Sequence, residues 1–133
     1  MRKKSYLGLV LWMVAFLGLT FGVIFLPTED EALLTRLVFN LCTIGVAALC
    51  LIMLLTDHAY WINGVTYEEC ASAGPERRRL YVWRHFVRFA IAAAIYLIYS
   101  VVAQILGLTF WIDLAIVFFG MVGVAISTIG IQL

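Results

Sequence analysis

Five side chains in the middle of the chain, Asp57, His58, Glu68, Glu69 and His85, could supply an acid, a base or metal ligands. That chemistry needs groups brought to one face, as in H-E-x-x-H, where two histidines four apart share a helix side. None of the five falls in such a spacing. A phosphate-cradling P-loop, a G-x-S-x-G elbow and a dinucleotide fingerprint are also missing. The expectation is therefore a non-enzymatic protein without a cofactor or a metal. Cys42, Cys50 and Cys70 include no C-x-x-C pair, and packing is the ordinary use of a thiol in an apolar run.

Two other sets of residues carry chemistry of binding or of structure. Arg36, Asn40, Gln104 and Asp113 stand inside or at the edge of otherwise apolar stretches, where an unpaired charge is expensive and an ionisable group marks a functional site by default. Their depths predict one polar cluster, which reads either as a clamp between helices or as the mouth of a site. Arg77, Arg78, Arg79, Trp83, Arg84 and Arg88 form the second set. Arginine forks suit phosphates and tryptophan suits the headgroup layer, so this basic face is expected to meet anionic lipid headgroups or a protein partner. The simpler reading, which needs no ligand, is a topology anchor, because arginines beside cytoplasmic span ends are nearly universal. Nucleic acid is not an expected partner, because the cluster is short and lies beside a membrane span.

The elements that must position these residues follow from composition. Hydrophobic residues make up 65% of the 133 and charged residues only 13%, against roughly half and a quarter in soluble domains. Charges are confined to three clusters, leaving apolar stretches at about residues 6–26, 33–55, 89–106 and 110–131. At about 1.5 Å per helical residue, stretches of roughly 20 residues match a hydrocarbon core near 30 Å. The predicted fold is an all-α integral membrane protein, one domain over residues 1–133 with four antiparallel transmembrane helices. A signal peptide is the rival reading of the first stretch. Its apolar run exceeds an h-region and no small-x-small site precedes Pro27.

Orientation is read from basic residues. Arg2, Lys3 and Lys4 precede the first span and five arginines lie in the segment 56–88, whereas Glu29, Asp30 and Glu31 occupy the first turn. The positive-inside rule then predicts both termini and the long loop in the cytoplasm, in a plasma or inner membrane. Within that loop, Asn63-Gly64 between β-prone residues predicts a hairpin turn, while Thr66 with Glu69 predicts a capping box that opens a helix at Tyr67. Pro75 suits the first turn of a further basic helix running into the third span. Its apolar Leu80, Trp83, Phe86 and Val87 would lie along the membrane surface.

Inside the spans, small and polar residues repeat at helical spacing. Arg36, Asn40, Thr43, Ala47 and Cys50 line one face of the second span, and Gly8, Ala15, Gly18 and Gly22 line one face of the first. Gly18 and Gly22 make a G-x-x-x-G pair, which lets another helix approach closely. Gly120, Gly123, Ser127 and Gly130 do the same in the fourth span, and Ala92, Ala93, Ser100 and Gln104 in the third. These faces predict association, as a homo-oligomer or as an accessory or regulatory subunit of a larger membrane complex. The alternative is a homo-oligomeric transporter or channel lined by the stripe of the second span. The membrane-embedded glutamate of small four-span multidrug exporters is missing from the first stretch.

Overall fold

The computed structural model describes residues 3–133; Arg2 of the basic N-terminal cluster lies outside them. Five α-helices follow one another: α1 (Leu7–Ile24), α2 (Glu31–Thr56), α3 (Tyr67–Ala73), α4 (Pro75–Leu106) and α5 (Phe110–Thr128). A 3-10 turn at Ala59–Trp61 sits between α2 and α3, and no strand occurs among the described residues. Four of these helices, α1, α2, α4 and α5, are long and apolar enough to cross a membrane. The chain is thus built as an α-helical integral membrane protein.

Each helix end has a local cause. Asp30 caps α2 by accepting a hydrogen bond from the Leu33 N–H at 3.0 Å, meeting one of the donors that every helix start leaves free. The expected capping box is complete: the Thr66 hydroxyl accepts from the Glu69 N–H, and the Glu69 carboxylate accepts from the Thr66 N–H at 2.7 Å. Gly74 at φ 84° and then Pro75 separate α3 from α4. Gly107 ends α4 in the left-handed conformation at φ 68°, where a residue with a Cβ would be strained. α4 has 32 residues and so spans about 48 Å, more than the roughly 30 Å hydrocarbon core. The basic segment and the third span are thus one continuous helix.

The expected hairpin at Asn63-Gly64 does not form. Tyr60 and Trp61 are drawn instead onto the start of α1: the Tyr60 hydroxyl donates to the Ser5 carbonyl at 2.7 Å and Trp61 Nε1 donates to the same oxygen at 2.9 Å. The two side chains reach Ser5 from the 3-10 turn, and no described strand lies beside the β-prone residues. Gly8 completes the joint, since a Cβ there would stand 2.7 Å from the Trp61 ring.

α2 and α4 form the central pair; α1 packs on α2, and α5 packs on α4 and α2. Gly45 of α2 takes the Phe16 ring of α1, with 3.0 Å left for a Cβ. The buried apolar cluster lies at the loop end, around Cys50, Met53, Ala59, Tyr60, Cys70, Tyr81 and Val82. α1 buries no residue and α5 buries only Asp113. Their apolar side chains point outward, which in a membrane means toward lipid or another helix.

Candidate functional site

Arg36, in the second turn of α2, is 3% exposed and Asp113, in the first turn of α5, is 0% exposed. The guanidinium donates from Nε to Asp113 Oδ2 at 3.1 Å and from Nη2 to Asp113 Oδ1 at 3.2 Å. Two further bonds reach α4 and its end, to Gln104 Oε1 at 2.7 Å and to the Leu108 carbonyl at 2.6 Å. Asn40, one turn below Arg36, donates to the Ser100 hydroxyl of α4 at 2.9 Å. The four residues grouped from their depths therefore stand in one hydrogen-bonded cluster.

Two members are additional to that set. The Tyr96 hydroxyl donates to Asp113 Oδ2 at 2.9 Å, and Gln104 Nε2 donates to Asp30 Oδ2 at 2.9 Å. Tyr96 lies four residues before Ser100 on the same α4 face, a spacing that points to it once Ser100 is included. Asp30 is held as a carboxylate below its usual range, first by the Leu33 N–H and next by the Gln104 amide. Asn40 Oδ1 and the Tyr99 hydroxyl are buried without a hydrogen-bond partner among the described residues.

Chemically, this cluster closes on itself. Asp113 has both oxygens occupied by Arg36 and Tyr96 and no exposed surface. An ion pair taken out of water recovers its desolvation cost only when geometry and further hydrogen bonds satisfy both partners. Here both are satisfied. The starts of α2 and α5 and the end of α4 are thereby tied together.

The basic residues at the other end are divided, not gathered. Arg77, Arg79, Arg84 and Arg88 are exposed, and Trp83 is half exposed. Arg78 is 4% exposed and turned inward: Nε and Nη2 donate to the two oxygens of Asp57 at 2.8 and 2.9 Å, and Nη1 donates to the Cys70 carbonyl at 3.0 Å. It does not belong to a headgroup-facing surface. Arg88 donates to the Ser127 carbonyl of α5 at 2.7 Å. The buried side of this part of α4 is Arg78, Tyr81, Val82 and His85, while Leu80 and Trp83 face out.

The acid–base candidates are separated. Asp57 is paired with Arg78, Glu69 is in its capping box, His58 stacks on Trp61 at 4.5 Å between ring centroids, and His85 is bonded to Tyr81. Among the described residues no group of three or more His, Cys, Asp or Glu is placed to share a metal ion. Cys70 is fully buried, and burial raises its thiol above the ordinary range. No protein-family model, no curated protein and no solved structure matches this chain.

Proposed function

We propose that the chain is a non-enzymatic membrane component that works by helix association, as an accessory or regulatory subunit of a membrane complex or as a homo-oligomer. Its four spans run antiparallel with both termini and the loop on the cytoplasmic side, as the distribution of basic residues argues. One contrast carries the reading. Gly8 and Gly45 are filled by Trp61 and Phe16 from within the chain, whereas a Cβ at Gly18, Gly22, Gly120 or Gly123 would meet nothing within 4 Å. The G-x-x-x-G pair of α1 is a close-approach face with no helix of this chain against it.

The test is association in bilayers, read by energy transfer between labelled copies or by co-purification from the native membrane. Gly18→Leu with Gly22→Leu removes the association while leaving helix content and unfolding temperature unchanged. Unaltered association in this double variant overturns the reading. The transporter alternative draws less support, because the stripe of α2 is spent inside the chain: Asn40 bonds to Ser100 and Thr43, Ala47 and Cys50 are buried. Robust solute flux in liposomes holding only this protein would favour it.

A further inference from the structure

A cavity of about 840 Å³ opens at the loop end, walled by α2, the 61–65 segment, α3, α4 and residues 128–133. That size falls in the roughly 300–1,000 Å³ range of pockets that hold small ligands. α4 contributes Arg77, Tyr81, His85 and Phe89. Residues four apart on a helix lie on nearly the same side and about 6 Å deeper at each step. Along the α4 axis the wall is graded, with a cation first, then a phenol and an imidazole, and then a phenyl ring. Val46, Leu49 and Met53 of α2 also line it and continue the apolar floor.

Two side chains of α4 turn polar atoms to the cavity. His85 and Tyr81 are 6% and 5% exposed. His85 Nδ1 is 2.9 Å from the Tyr81 carbonyl; a carbonyl only accepts, so Nδ1 carries the hydrogen and Nε2 of the neutral ring is an acceptor. Both side chains line the cavity, where Nε2 and the Tyr81 hydroxyl are open to an occupant. An occupant with a hydroxyl can donate to His85 and accept from Tyr81. Arg77 and Glu69 line the same cavity, and the Glu69 carboxylate keeps its capping bond to the Thr66 N–H. A headgroup with both signs of charge suits that pair.

We propose that this cavity binds a single-chain glycerophospholipid bearing an amine headgroup. The order of groups along such a molecule is the order of side chains down the wall. Its ammonium and phosphate meet Glu69 and Arg77, its free glycerol hydroxyl meets Tyr81 and His85, and its one acyl chain lies against Phe89, Val46 and Leu49. Arginine suits the phosphate through its planar fork. A fatty acid of the same length has no hydroxyl hydrogen for His85. This site stands whether or not the chain associates through α1.

The experiment is native mass spectrometry of the full chain released from detergent, titrated with lysophosphatidylethanolamine, lysophosphatidylglycerol and a fatty acid of equal chain length. One lysophosphatidylethanolamine should be retained per chain, more tightly than the other two. Arg77→Gln should weaken it roughly tenfold, the loss of about one charge-assisted hydrogen bond, while Lys3→Gln, at an exposed cation outside the cavity, should leave it unchanged. Glu69→Gln keeps an acceptor for the capping box, so α3 stays folded; it should abolish the preference for the amine headgroup. Equal retention of the fatty acid, equal weakening by Arg77→Gln and Lys3→Gln, or no retained lysophospholipid would each overturn the proposal.

Discussion

Arg36 and Asp113 are 77 positions apart in the chain and meet through two parallel hydrogen bonds of 3.1 and 3.2 Å, with neither side chain exposed. Removing one partner of such a pair strands the other as a buried charge, which costs about 3–5 kcal/mol. Asp113→Asn should therefore lower stability by that order in denaturant or thermal unfolding. Adding Arg36→Gln should recover part of the loss, because the stranded charge goes with it. A double-mutant cycle measures the coupling, and strictly additive losses would contradict the clamp.

Much of this cluster can be read from the chain because a membrane makes charges rare. Arg36 and Asp113 each lie about one turn inside an apolar stretch, and few other residues at that depth could satisfy them. Tyr96 is harder to find, since tyrosine is an ordinary residue in a span and its hydroxyl gains meaning only when Asp113 is seen opposite. The spans and the Thr66–Glu69 box are legible for a similar reason: both depend on short-range pattern. Arg78 is not, because Arg77, Arg78 and Arg79 look alike until the backbone of Asp57 turns left-handed and presents its carboxylate 21 positions away. The hairpin expectation fails at Tyr60 and Trp61, whose partner Ser5 lies 55 and 56 positions back.

Asp57 combines strain with charge. It is the non-glycine residue at positive φ, 57°, among the described residues, and its side chain holds Arg78 through two bonds. Asparagine tolerates the left-handed region better than most residues with a Cβ. Asp57→Asn thus isolates the lost charge, whereas Asp57→Ala adds strain to it. The alanine variant should be the less stable of the two by about 1 kcal/mol, as unfolding in detergent would show; equal stabilities would mean that backbone conformation contributes nothing there.

Arg79 and Arg84 are exposed on α4 and Arg78 is not. If the outer arginines draw anionic lipid by charge, Arg79→Gln with Arg84→Gln should weaken that association by roughly 1 kcal/mol per residue in low salt, fading as salt is added. Spin-labelled anionic lipid immobilised at the protein surface is the readout. Arg78→Gln should leave that readout unchanged and reduce stability instead, because its Asp57 and Cys70 partners are internal. A loss of lipid association from Arg78→Gln matching that of Arg79→Gln would place all three on one surface.

The sidedness of the loop needs a reporter that reagent can reach, and Cys70 is a poor one. It is 0% exposed and burial raises its pKa, so the thiolate that reacts is scarce and shielded at neutral pH. Alkylation should be slow from either side of the membrane, faster as pH rises, and prompt once the protein is unfolded. Glu68 and Ser72, on the exposed face of α3, are better positions, as is Glu29 in the turn before α2. In a chain with Cys42, Cys50 and Cys70 replaced by alanine, Glu68→Cys should be labelled by a membrane-impermeant reagent only after the cytoplasmic face is opened. Glu29→Cys should be labelled in intact cells. The reverse pattern would invert the topology argued from the basic residues, and rapid labelling of native Cys70 would contradict its burial.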